Sequence, residues 1–303
     1  MGKIEIISKQ GNENIAIAYV GRNRGNNKYL VEFAESRESL LPIEKKFVVI
    51  VSSLYGCPVG CLMCDASASY NGKLTKEEIL EQIDYIINKR FPNKINCEKL
   101  KIQFARVGEP TFNKAVLDVL RELCARYNAP GLMPCISTIA PAGCDHFMDE
   151  LIKIKNQFYN KGNFQLQFSI HTTDKIKRDR VIPIDKWNFS QIAEYGERFF
   201  KKEDRKIVLN FAAIKGNPLD PKVIKQNFNP KKFILKFTPI NPTKSVEKHN
   251  IKSLINSHAP DVKVLFETLN AYRFETILSI GELEENNIGS NCGQILNSVR
   301  QNG

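Results

Sequence analysis

From residue 46 onward the chain alternates between two hydrophobic periods. Short apolar runs at 48–51, 101–104, 133–138, 164–170, 207–212 and 232–237 read as strands. Between them lie stretches with apolar residues three and four apart, which read as helices. Near 75–89, Ile79, Ile83, Ile86 and Ile87 share one helical face behind a capping box, Thr75-Lys76-Glu77-Glu78. Val116, Leu117, Leu120 and Leu123 mark a helix over 113–127, and Phe147, Leu151 and Ile154 one near 145–157. A further helix is predicted near 188–200, and Asp220-Pro221 is a suitable N-cap with proline at the first position of a short one. Helical segments between 245 and 271 and a strand at 274–280 follow. Six successive strand–helix units imply a parallel sheet with right-handed crossovers. Six is too few to close an eight-fold barrel, so the expected fold is α/β, a partial (β/α)6 barrel. The alternative is an open doubly wound sheet, which gains no support because no GxGxxG or Walker loop follows a strand.

The first 45 residues follow another pattern. Ile4–Ile7, 15–20 and 29–33 read as short strands separated by Gly11-Asn12 and Gly25-Asn26-Asn27, both turn chemistry. The expected organisation is therefore a small β-rich appendage over 1–45, the barrel over 46–280, and a C-terminal segment over 281–303.

Composition narrows the class. At 303 residues, 42% hydrophobic and 25% charged, the chain has the make-up of a soluble protein with a large core. No signal peptide and no apolar run near the ~18 residues needed to span a bilayer is present, so a cytoplasmic protein without a membrane partner is expected. The net charge of +11 fits a polyanion such as nucleic acid, with runs at Lys175-Ile176-Lys177-Arg178 and Lys201-Lys202. Solvated lysines spread over every helix are the plain alternative.

Three of the eight cysteines fall in one loop after the first barrel strand, Cys57-Pro58-Val59-Gly60-Cys61-Leu62-Met63-Cys64. Three close thiolates without an obvious fourth imply a [4Fe–4S] cluster with one iron open to a further ligand. A zinc site completed by a distant residue, or an unliganded loop, are the other readings, but no second Cys pair or nearby His is present. In a parallel barrel the loops after strand C-termini form the active face, and this loop is one of them. The second strand leads to Gly108-Glu109-Pro110, where glycine permits close backbone approach and a carboxylate can hold an ammonium.

Val51-Ser52-Ser53-Leu54-Tyr55-Gly56-Cys57 resembles the Ser-Ser-x-x-Gly-Cys lead-in of the RlmN/Cfr-type radical SAM RNA methyltransferases. Val107-Gly108-Glu109-Pro110-Thr111-Phe112-Asn113, Ile136-Ser137-Thr138, Ser169-Ile170-His171, Pro239-Ile240-Asn241-Pro242 and Asn291-Cys292-Gly293-Gln294-Ile295 are similar to further motifs of that family, in the same order, over residues 28–300. The resemblance implies that Cys57, Cys61 and Cys64 ligate the cluster. It also implies that Gly108, Glu109, Ser137, Ser169, Ile170, His171 and Asn241 contact S-adenosylmethionine (SAM). Cys292 would carry a methyl group to an amidine carbon of an RNA adenine, and Glu32 matches the family's general base. A reductant such as flavodoxin or ferredoxin is implied as partner.

Two departures stand against the family pattern. Its second catalytic cysteine, seven residues before the first cluster ligand, is replaced by Ile50, and its N-terminal helical RNA-binding domain has no counterpart in this sequence. Among the other thiols, Cys124 falls on the apolar side of its helix and is expected in the core, and Cys97 and Cys135 have no assigned role. Cys144, in a loop of the active face, is the candidate substitute. A radical SAM enzyme for a small molecule or peptide, and an RNA-binding or redox-sensing protein without turnover, are the competing expectations.

Overall fold

The alternating pattern becomes one ten-stranded sheet whose strands follow chain order from edge to edge. The computed structural model describes residues 4–37, 41–67, 69–255, 260–279 and 293–302. β1 (Glu5–Asn12), β2 (Ala16–Arg22) and β3 (Leu30–Ser36) are antiparallel, and β3 joins β4 (Phe47–Val51) through Ala34↔Ile50, Glu35↔Val49 and Ser36↔Val48. The N-terminal strands thus extend the barrel sheet itself. β5 (Leu100–Phe104), β6 (Leu132–Thr138), β7 (Gln165–Ser169), β8 (Ile207–Ala212) and β9 (Phe233–Thr238) continue in parallel from β4, and β10 (Thr276–Leu278) adds another parallel strand.

Helices α1 (Lys76–Arg90), α2 (Ala115–Arg126), α3 (Asp145–Phe158), α4 (Lys175–Val181) and α5 (Phe189–Phe199) cover one face. They are followed by α6 (Pro221–Asn227), α7 (Lys244–Lys248), α8 (Pro260–Ala271) and a C-terminal helix, α9 (Gln294–Asn302). Phe47, Val49 and Val51 of β4 and Leu100, Ile102 and Phe104 of β5 are buried with Ile79, Ile83 and Leu120 in the main core. Each such side chain contributes roughly 1.5–3 kcal/mol by leaving water. The alternate residues, Val48, Ile50, Lys101 and Gln103, are only half-buried and line the concave inner face. One face of each strand is thus buried under the helices and the other turned to the barrel interior, the alternation a barrel requires.

The capping box at α1 is present: Glu78 N donates to Thr75 Oγ1 at 3.2 Å and Thr75 N to Glu78 Oε2 at 2.9 Å. Glu78 also pairs with Arg24, which ties the turn before β3 to α1. Two elements differ from expectation. Helix α4 lacks an apolar face legible in sequence because Arg178 shares its buried side with Val181, while Ile176 is 81% exposed. Cys124 is exposed rather than core: it lies one position past Leu123, at the flank where α2 meets the end of α3, with its sulfur near Phe158 O. Among the described residues, no helix is long and apolar enough to cross a membrane.

Candidate active site

Ser52 organises the start of the cysteine loop. Its hydroxyl donates to Glu32 O and accepts from Val107 N, while Gln82 Oε1 accepts from its backbone N–H. Asn113 Nδ2 donates to Ser53 O and Leu74 O at 2.8 Å each. The Ser-Ser lead-in is therefore a brace between β3, the Val107–Glu109 turn and α1. Gly108, at φ 107°, allows this packing: a Cβ there would lie 2.6 Å from Leu54 Cβ and 2.9 Å from Leu54 N.

The loop beyond is walled by two small apolar clusters. Cys57 and Cys64 lie against Val20, Ala66, Val107, Ile295 and Leu296, with Ile50 among them. Cys57 and Cys61 meet Val59, Ile139, Val181 and Ile182 on the other side. The sulfur of Cys57 is approached by the backbone N–H groups of Val59 and Glu109, yet burial pushes its thiol up to about 11. Burial and the neighbouring Cys57 push Cys61 up to about 12. Three soft thiols in one half-buried, apolar-walled loop suit an iron–sulfur group. They are spread along it, and no three His, Cys, Asp or Glu among the described residues gather closely enough to hold a metal ion.

Glu109 points inward. Its Oε1 accepts from Thr111 N, Thr111 Oγ1 and Thr138 Oγ1 at 2.6–3.2 Å, and Oε2 from Ile139 N at 3.0 Å. Burial raises its carboxyl above the usual range against the pull of these donors. One Oε2 lone pair remains for a further donor. Ser137 accepts from Gln167 Nε2 at 3.3 Å, and Ser169 is half-buried opposite Asn210. Ile170 is buried, and both it and His171 donate backbone N–H to Asn210 O. Asn241 is exposed in the turn before α7.

His171 holds a left-handed backbone, φ 66°, and its Nδ1 accepts from Ala212 N at 3.1 Å. That bond assigns the ring proton to Nε2. Burial, then the charge of Arg178, bring its pKa down to about 3. A group depressed from 6.5 to about 3 stays neutral in the folded chain while the unfolded chain takes up a proton. The stability linked to it is full above pH ~6.5 and is lost as pH falls toward 3, a loss on the order of a few kcal/mol. His171→Asn, which tolerates the same backbone, is expected to flatten the fall of the urea midpoint between pH 6.5 and 4. Parallel wild-type and variant curves would remove this assignment.

Glu32 is completely buried, and both of its oxygens are engaged. Oε1 meets Arg106 Nη2 at 2.7 Å and accepts from Gly293 N at 2.8 Å, and Oε2 accepts from Leu296 N at 2.8 Å. The carboxylate thus caps α9 and complements its dipole. Gly293, φ 86°, sits against the cysteine loop: a Cβ there would lie 2.5 Å from Ala66 N and 2.6 Å from Asp65 C. Asn297 Nδ2 donates to Asp65 O at 2.9 Å, and Gln294 Nε2 to Pro242 O at 2.6 Å. Asp65 in turn accepts from Ser245 N and Oγ, and Thr243 Oγ1 donates to Met63 O. Cysteine loop, Asn-Pro turn and α9 form one unit. Cys292 itself lies outside the described residues.

Arg106, Asp65 and Thr138 escaped sequence reasoning. Asp65 directly follows Cys64 and so carried a positional signal, whereas a buried Arg106–Glu32 pair has none. Cys144 is found in the main core, 4% exposed, with its thiol pushed up to about 12 by burial and then by Asp145. That placement buries it, while leaving it within electrostatic reach of Glu109.

No family model matches the chain. It is 26% identical over 179 residues to the probable dual-specificity RNA methyltransferase RlmN of Prochlorococcus marinus (strain MIT 9515), covering 58% of this chain and 49% of that protein. It is 26% identical over 174 residues to the dual-specificity RNA methyltransferase RlmN of Nautilia profundicola, covering 57% and 47%. The chain spans about half the length of the curated relatives it matches. Its fold matches a radical SAM methyltransferase from Sphaerobacter thermophilus with a TM-score of 0.74 at 15% identity, over 97% of this chain and 81% of that one. Sequence and architecture converge on one resemblance: the chain is RlmN-like and carries the fold of a radical SAM methyltransferase.

Proposed function

We propose that this chain is a radical SAM enzyme that methylates RNA, passing a methyl group through Cys292 to an electrophilic ring carbon of adenine. One observation carries the reading: Gly293, the neighbour of Cys292, packs on Asp65 and Ala66 immediately after Cys64. On this reading Cys292, one residue before that contact, serves a reaction at the cysteine loop. When bound, a [4Fe–4S] cluster on Cys57, Cys61 and Cys64 would deliver the electron that cleaves SAM reductively, with a flavodoxin- or ferredoxin-type donor as source. Glu109 offers its remaining Oε2 lone pair to an ammonium, and neutral His171 offers an Nε2–H donor. Glu32 and Arg106 hold the chain next to Cys292 in place.

Phosphate-seeking surface surrounds this unit. An open cleft of about 580 Å³ beside Cys61 and Cys64 is lined by Lys244, Lys248, His249 and Arg300. A neighbouring one of about 480 Å³ is lined by Lys177, Arg180, Lys215 and Lys252. Lysine and arginine set along clefts suit an RNA backbone.

The alternative, a small-molecule or peptide substrate, draws support from Ile50 and from the burial of Cys144, because it needs no second thiol for product release. Anaerobic reconstitution with SAM and dithionite separates the readings. RNA methylation is expected to raise 5′-deoxyadenosine yield only with RNA present and to add a methyl mass to the Cys292 peptide. An unmodified Cys292 under turnover, with no RNA dependence, would favour the alternative.

A further inference from the structure

Below the strand ends, the concave face of the sheet gathers several lysines. Lys101 of β5 and Lys236 of β9 occupy inward positions, alternating with Leu100, Ile102, Leu235 and Phe237, which are buried toward the helices. Their strands are four places apart in the sheet, so its curl is what brings the two within electrostatic range. Lys99, at the entrance of β5, lies within electrostatic reach of Arg205, Lys101 and Lys46. Cys135 of β6 marks the middle of the group, acted on by Lys101, Lys99, Arg205 and Lys236.

No side-chain hydrogen bond or ion pair to Lys99, Lys101 or Lys236 occurs among the described residues. Burial first, then neighbouring cations, hold Lys99 and Lys236 below the usual lysine range. Asn210, the register partner of Lys236, has a buried Oδ1 without a hydrogen-bond partner. Like charges drawn together out of water are costly unless an anion joins them. Hydrogen phosphate supplies acceptor oxygens for the ammonium groups and a hydroxyl for Asn210, a combination a simple carboxylate lacks.

We propose that the lower half of the barrel interior, between Lys101 and Lys236, is a binding site for a small phosphate-bearing molecule. It differs from the outer clefts of Lys177, Arg180, Lys215 and Lys252, whose open shape suits a phosphodiester chain. The interior site is set within the curl of the sheet, at the middle of β9.

The test uses the full chain and inorganic diphosphate, followed by calorimetry and thermal unfolding. Lys101→Met and Lys236→Met are each expected to weaken diphosphate binding by roughly tenfold or more and to abolish its rise in Tm. Lys202→Met, on an exposed loop, is expected to change neither. Without ligand, Lys236→Met is expected to unfold at the wild-type temperature or above, since it relieves a repulsion. Equal binding by all four proteins, or equal weakening by Lys202→Met, overturns the proposal. So does a clear fall in the unliganded Tm of Lys236→Met. A 5′-phosphorylated ten-nucleotide RNA supplies the other arm: weakening of RNA but not of diphosphate by the interior variants would reassign these lysines to the polynucleotide and overturn the small-anion site.

Discussion

Glu32→Ala is expected to release helix α9 from the sheet and to cost about 3–5 kcal/mol, the scale for removing one partner of a buried ion pair. Glu32 is the carboxylate partner of buried Arg106, and it accepts the first backbone donors of α9 from Gly293 and Leu296. Loss of the cap adds about 1 kcal/mol. Chemical denaturation measures the total, and amide exchange over residues 294–302 measures the release. Glu32→Gln keeps an acceptor for α9 but loses the charge, so its cost should be smaller and α9 should stay protected. The pair also separates two roles. If Glu32 only positions the C-terminal segment, Glu32→Gln retains turnover; if it is the general base that the family resemblance implies, turnover is lost while α9 stays docked. Full protection of α9 in Glu32→Ala, with stability within about 1 kcal/mol of wild type, would refute the latch.

Alanine at Cys57, Cys61 or Cys64 is expected to abolish SAM cleavage while leaving the fold nearly unchanged. The loop is held by other contacts: Leu62 N donates to Val181 O, Thr243 Oγ1 to Met63 O, and Asp65 accepts from Ser245. The thiols are half-buried, so each truncation removes little packing. Iron and sulfide in reconstituted wild type should approach about four each per chain and fall well below that in every variant. Deoxyadenosine formation should drop by roughly a hundredfold or more, with Tm within a few degrees of wild type. A variant that keeps its iron and its turnover would end the iron–sulfur reading. Zinc in place of iron in the wild type would favour the metal site that the cysteine spacing also allowed.

Local chemistry carried much of the fold into the sequence. The isoleucines of α1 and its capping box predict that helix to within a residue at each end, and β8 begins and ends where its apolar run does. Both depend on neighbours in the chain. Helix α4 is illegible because it is two turns long and one of its two buried positions is Arg178, the other being Val181. Cys124 misled because apolar spacing locates a face but not its edge, and an angle of one residue decides exposure. The site divides in the same way. Gly108 and Glu109 could be picked out from their turn, but the fourfold hydrogen bonding of Glu109 depends on Thr138 and Ile139 from the next strand. The function of Glu32 as a cap required α9, which meets it only in three dimensions.

The contact that completes this site joins residues 261 positions apart, Glu32 and Gly293. Loop-closure entropy makes such a pairing late in any folding sequence. Synthesis adds its own order, since a chain made from its N-terminus has the strands and the cysteine loop in hand before residues 293–302 exist. The cysteine loop therefore passes through a stage in which it is formed and uncovered, and the arrival of α9 ends that stage. The helix acts as a seal, and its late arrival leaves the cysteine loop open to solvent until the chain is complete to α9.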